Sequence, residues 1–171
     1  MGGTDGVMGS SLTSRWVLEG GVVVASPDFE RTQAGASLDV VRRIPFGAHK
    51  LNLDKLSLDD HWTLDLGLGL QSLGWAGGRP ATLSVTARSG VSYNILNVVD
   101  VGFNLRGGYA NVSNGDGSQG GPWWSAGFRM MTSVNPVSVF TEGGFFSQPA
   151  VPGGSRETGV YGIVGAGYLF P

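Results

Sequence analysis

The chain has no cysteine among its 171 residues, so disulfides and thiolate metal sites are excluded and redox chemistry does not indicate a compartment. Charge is also scarce. Asp, Glu, Lys and Arg together make 14% of the residues, against about 25% in soluble domains. Neither sign dominates: the net charge is −2 and the pI about 5.6, which removes the electrostatic case for nucleic acid. Long apolar runs are missing too, and no stretch approaches the roughly 18 residues of a membrane-spanning helix. Residues Met1 to Arg15 lack the apolar core of a secretory signal, so an exported chain is expected to have had its signal removed. Glycine, in contrast, is abundant, at 30 residues against a usual share of about 7%. Few charges, many glycines and a mean hydropathy of only +0.06 together suit a β-barrel with a lipid-facing wall and a polar lumen.

The stretch from His61 to Gln71 shows the pattern in its cleanest form. Trp62, Leu64, Leu66, Leu68 and Leu70 alternate with Thr63, Asp65, Gly67, Gly69 and Gln71. A period of two is that of a strand, here apolar on one face and polar or tiny on the other. About ten residues tilted by about 45° are enough to cross a bilayer core. The same alternation recurs over Arg15–Ser26, 34–44, 82–95, 98–112, 123–134, 137–147 and 158–170, giving eight predicted strands. Where Arg42 and Arg43 are adjacent, only Arg43 shares the polar face. Arg42 is expected at headgroup level, with its charged end reaching out of the lipid.

The connections have a rhythm. Leu96-Asn97 and Asn135-Pro136 are tight turns, whereas 73–80, 113–121 and 147–157 are longer and rich in Gly, Pro, Ser and Asn. Short turns thus fall at one end of a meander and long loops at the other, as in barrels of the bacterial outer membrane. Pro45 to Asp60 departs from the rhythm, being long on the short-turn side. It reads as a covered turn, an extension of the flanking strands, or an interfacial segment. Its Leu51, Leu53, Leu56 and Leu58 are candidate contacts for a protein partner or a second copy of the chain, since solvated loops rarely carry that much uncovered apolar surface.

With eight alternating strands, this loop rhythm and a last strand ending Tyr168-Leu169-Phe170 before Pro171, the chain resembles the small eight-stranded bacterial outer-membrane barrels, the class of the OmpA membrane domain and the OmpX-like proteins. The resemblance covers 15–170 as a single barrel domain and leaves 1–14 as a flexible tail. It implies an all-β, antiparallel, up-and-down transmembrane barrel in the outer membrane, surrounded by lipid and lipopolysaccharide. It also implies that barrel-assembly machinery reads the terminal aromatic strand.

Sorting charges by strand face places Glu19, Asp39, Asp65, Asp100 and Glu142 with Arg43, Arg88, Arg106 and Arg129 in the lumen. In so narrow a barrel these groups must pair, with Arg88, Arg106 and Arg129 expected beside Asp65, Asp100 and Glu142. Glycines at 67, 69, 90, 102, 108, 127 and 144 would leave room for arginine side chains or water. Aromatics near the strand ends predict two interfacial rings: Trp16, Trp62, Tyr93, Tyr168 and Phe170 at the short-turn end, and Trp75, Tyr109, Trp124 and Phe145 at the other.

A structural anchor or interaction scaffold with a salt-bridged lumen is the function this pattern favours. The alternatives are a small gated channel and a soluble lipocalin-like barrel, whose apolar faces would point inward. No enzyme is expected: His49, His61, Ser57, Asp59 and Asp60 are near in sequence, but nothing fixes a nucleophile beside its base. No cofactor or metal is expected either, since Asn114-Gly115-Asp116-Gly117-Ser118 lacks the further acidic ligand of a calcium loop.

Overall fold

A computed structural model of the chain describes residues 14–29, 31–53, 56–74, 80–95 and 98–170, with the side chains of 47–60 outside the description. The predicted tail, Trp75, the turn pair Leu96-Asn97 and Pro171 lie outside the described residues, Ser14 apart.

Eight strands form one closed antiparallel sheet: β1 (Arg15–Ser26), β2 (Gln33–Leu53), β3 (Leu56–Leu73), β4 (Ala81–Ile95), β5 (Val99–Asn114), β6 (Gly117–Val134), β7 (Val137–Gln148) and β8 (Glu157–Phe170). Each pairs with its sequence neighbour, and β8 closes on β1. Closure leaves no strand edge open within the barrel wall, which a sheet in lipid requires. Cross-strand partners run from Trp16 to Arg42, Leu66, Ser89, Leu105, Ala126, Phe145 and Val160, and return to β1 at Ser26. The return is ten residues along from the start. That stagger for eight strands tilts them by about 40–45°. The 12 residues of β1 then rise roughly 28 Å, close to the height of a bilayer's apolar band.

The alternation decides which side meets what. Leu68, Phe128 and Val164 are 68%, 72% and 64% exposed on the outside, whereas Glu19, Asp39 and Glu142 on the opposite face are 2% exposed or less. This excludes the lipocalin-like arrangement, because the apolar face points outward. An exterior of Val, Leu, Phe and Met at mid-strand is stable only where no water must be ordered around it, so the barrel is a transmembrane one.

Two connections are shorter than the sequence pattern predicts. Past Phe46 and Trp62, β2 and β3 continue as a two-stranded ribbon, with backbone pairs His49 with Asp60, Lys50 with Asp59, Leu51 with Leu58, Asn52 with Ser57 and Leu53 with Leu56. The 45–60 segment is therefore an extension of its flanking strands and not a covered turn. Likewise, 113–121 is not a loop: β5 and β6 pair as far as Asn114 and Gly117, and Asn114 Oδ1 accepts the Asp116 backbone N–H at 3.0 Å. Gly and Ser disfavour strands on propensity alone, but ladder pairing with β5 outweighs that weak preference.

Candidate functional site

All nine predicted lumen charges lie inside the barrel, and ion pairs join them into one unbranched chain. The order is Asp100, Arg43, Asp65, Arg88, Glu19, Arg129, Glu142, Arg106, Asp39. Acid and base alternate, each arginine sits between two acids, and an acid ends the chain on each side. Arg43 donates from Nε and Nη2 to the two oxygens of Asp65, both at 3.2 Å, and its Nη1 lies 3.6 Å from Asp100. Arg88 donates to Glu19 at 2.6 Å and to Asp65 at 3.4 Å. Arg129 donates to the other Glu19 oxygen at 2.7 Å and lies 3.5 Å from Glu142. Arg106 donates to both Asp39 oxygens, at 3.1 and 2.9 Å, and to Glu142 at 3.3 Å.

The expected pairing is corrected in two respects. Asp100 meets Arg43, with Asn94 Nδ2 donating to it at 2.7 Å, and does not reach Arg88, Arg106 or Arg129. Glu19 and Asp39 instead take the closest contacts to those three arginines. The reason is closure: β1 is sequence-distant from β4 and β6, yet it faces both across a narrow lumen.

Neutral groups complete the chain. Glu142 also accepts from Asn104 Nδ2 and from the Tyr161 hydroxyl, each at 2.8 Å. The Arg129 guanidinium carbon lies 3.8 Å from the centroid of the Phe140 ring, whose negative face adds a further attraction. Desolvating this many charges is costly, and the alternation offsets that cost by setting each arginine between two acids, although the Nε groups of Arg88, Arg106 and Arg129 make no hydrogen bond.

The lumen is not polar throughout. Val23, Ala25, Leu73, Ala110, Trp123, Phe146 and Ile163 belong to a buried apolar cluster, together with Met131, Phe140 and Tyr161. On β1, β3, β5 and β7 the charged residue lies nearer the short-turn end than the apolar one: Glu19 before Val23, Asp65 before Leu73, Arg106 before Ala110, Glu142 before Phe146. Most of the apolar cluster thus forms a plug on the long-loop side of the charged layer, while Phe140 before Glu142 and Met131 after Arg129 lie on its short-turn side. Above the plug, Gln148 at the end of β7 and Ala150 of the β7–β8 connection are also buried, and Gln148 Nε2 donates to Glu157 at 3.0 Å. Parity could have identified the plug: Trp123 shares its face with Ser125, Gly127 and Arg129. An adjacent Trp124 on the outer face hides that signal.

The inward glycines do not leave the expected room. A Cβ at Gly69 would collide with the Asp39 carboxylate, one at Gly90 with the Asn104 amide, and one at Gly127 would lie 2.5 Å from the Tyr161 hydroxyl. At Gly67 it would meet the Val40 carbonyl oxygen at 2.6 Å, and at Gly108 and Gly144 the neighbouring strand's backbone. At Gly69, Gly90 and Gly127 the missing side chain is space that the lumen network already fills.

On the outside, Trp16, Trp62, Tyr168 and Phe170 are exposed and Tyr93 half-buried near the short-turn rim, where Trp62 packs on Tyr93 and Tyr168 on Phe170. Tyr109, Trp124 and Phe145 are exposed toward the other rim. Arg42 stays outside, with its guanidinium 5.8 Å from the Trp16 ring centroid and donating to Ser14 Oγ at 3.2 Å.

Among solved structures, the chain is similar to Neisserial surface protein A, with a TM-score of 0.55 and 12% identity over 91% of this chain and 95% of that one. The fold is that of the small outer-membrane barrels. Ail, the attachment invasion locus protein of Yersinia pestis, covers 92% of this chain and 97% of its own at 14% identity, with a TM-score of 0.49. No protein-family model and no curated protein matches the chain.

Proposed function

We propose that the protein is a structural anchor and interaction scaffold of the bacterial outer membrane, which holds contact elements at its two rims and conducts nothing through its lumen. The observation that carries this reading is the unbroken ion-pair chain beneath an apolar plug. An interior bonded along its length and packed above serves stability, not passage. The two aromatic rings fit the two bilayer interfaces, with lipid or lipopolysaccharide between and beyond them. What then remains for partners is the rims: the β5–β6 hairpin and the β1–β2 and β7–β8 loops at one end, and the β2–β3 ribbon at the other.

The test has two arms. In planar bilayers the purified protein is expected to give no large, steady single-channel conductance, and such a conductance would refute the closed lumen. In cells, replacing 50–58 with a short Gly-Ser turn should leave membrane insertion intact while removing a co-purifying partner or reducing assembly size. If insertion, assembly and co-purifying proteins are all unchanged, the ribbon is not a contact element.

A further inference from the structure

The ribbon beyond the short-turn rim has a feature that strand length alone does not explain. Between the pairs Phe46–Trp62 and His49–Asp60, two residues of β2, Gly47 and Ala48, stand opposite a single residue of β3, His61. This is a one-residue bulge in β2, and it reverses the parity of that strand alone. Before the bulge, even-numbered β2 positions face outward, as exposed Leu38, Val40 and Phe46 do, and so do even-numbered β3 positions such as Trp62, Leu66 and Leu68. Past it, β3 keeps its alternation, so positions 56 and 58 stay on the outward side. The reversed β2 now brings positions 51 and 53 to that same side.

The bulge therefore gathers the four leucine positions, paired 51 with 58 and 53 with 56, onto one face. Positions 50, 52, 57 and 59, which are Lys, Asn, Ser and Asp, share the other. Without it, 51 and 53 would fall on the side continuous with the lumen, and the leucines would be split between two faces. The leucine face also carries the pair 49 with 60, His and Asp, directly past Phe46 and Trp62, so the leucine positions continue the barrel's lipid-facing wall beyond one polar pair at the rim. It runs seven residues past Phe46, roughly 16 Å at about 3.3 Å per residue and a tilt of about 45°.

We infer that this face rests on the lipid of the leaflet at the short-turn end, with the ribbon bent at Gly47-Ala48 to lie along the membrane surface. The inference rests on the transmembrane reading of the barrel. A two-stranded ribbon is marginal in water, and a face with four leucine positions needs cover. The occupant already in contact with the same face one turn higher is lipid. A bulge bends its strand, which is the motion required to follow the surface. The Phe46–Trp62 pair at the base supplies the aromatic footing expected at headgroup level. The polar face is left toward the aqueous side.

The absence of cysteine makes the test clean. In the full chain, Leu53→Cys, Leu56→Cys, Asn52→Cys and Ser57→Cys are made singly, labelled with a nitroxide and folded into phosphatidylethanolamine/phosphatidylglycerol vesicles. Collision rates with oxygen and with a water-soluble nickel chelate are then measured. The expected result is an oxygen-to-nickel ratio several-fold higher at 53 and 56 than at 52 and 57. Equal ratios on the two faces would overturn the inference. So would labels at 53 and 56 shielded from both reagents, which would assign the face to a protein, and to a second copy if spin–spin broadening accompanied the shielding. A Leu68→Cys label on the barrel wall separates the two levels: if it too lacks lipid contact, the membrane reading has failed and not only the ribbon's placement.

Discussion

Glu19 is the midpoint of the ion-pair chain, and removing its charge tests whether the chain acts as a unit. Its side chain is fully buried and holds two arginines from opposite sides, Arg88 at 2.6 Å and Arg129 at 2.7 Å, two of the shortest links in the lumen. In Glu19→Gln the amide oxygen can accept from one guanidinium, but the amide N–H groups then face the other, donor against donor. The four-residue halves left behind, Asp100-Arg43-Asp65-Arg88 and Arg129-Glu142-Arg106-Asp39, are each neutral, so the loss lies in the broken bonds at the centre and not in a surplus of positive charge. Breaking a buried pair on one side costs about 3–5 kcal/mol, and the retained amide bond puts this substitution at about 3 kcal/mol. Asp100→Asn removes only the terminal link, at 3.6 Å and with a partly exposed side chain, and should cost about 1 kcal/mol. Urea unfolding of vesicle-folded protein, followed by tryptophan fluorescence, compares the two. Adding Arg129→Met to Glu19→Leu should also cost less than the sum of the two single changes, since it removes the stranded charge. Glu19→Gln costing no more than Asp100→Asn would refute the idea of an interdependent chain.

The lipid-facing wall should show a depth gradient. Leu66→Arg, at mid-strand, is expected to cost about 2–4 kcal/mol or to block insertion, while Ile95→Arg, at the end of β4, should cost about 0–1 kcal/mol in the same assay. Equal costs would mean that the band does not lie across the middle of the barrel. Gly127→Ala should destabilise by about 1–3 kcal/mol, because the new methyl meets the Tyr161 hydroxyl and the Gly143 carbonyl oxygen, at 2.5 and 2.8 Å. Adding Tyr161→Phe should not restore the loss in full, since the Gly143 backbone contact remains and Glu142 loses the Tyr161 hydrogen bond.

These expectations rest on two kinds of information. Alternation is local: because side chains of a strand point to opposite faces in turn, the chain by itself assigns Leu66 and Asp65, or Phe128 and Arg129, to opposite sides. Eight such stretches of membrane-crossing length, with short turns and long connections in alternation, determined an up-and-down barrel. The scarcity of charge determined which face is turned outward. Parity puts Trp123 on the face of Ser125 and Arg129, a signal the sequence reading did not use, and a plug is a property of several strands meeting that no single strand records.

Tertiary structure decided the rest. Which acid meets which arginine depends on a stagger of ten residues around eight strands, and that number exists only once β8 pairs with β1. It brings Glu19 to Arg88 and Arg129, residues that sequence distance gives no reason to associate. The glycines illustrate the same division. Their small size is visible in the chain, but whether the vacated space holds water, an arginine or a tyrosine depends on the neighbouring strand and the far wall. The bulge at Gly47-Ala48 is decided at the same level, because a parity reversal is defined only against the partner strand. Periodicity is a one-dimensional signal carried by sterics within a strand, whereas register is a cooperative outcome of pairing, closure and packing, and only the folded barrel contains it.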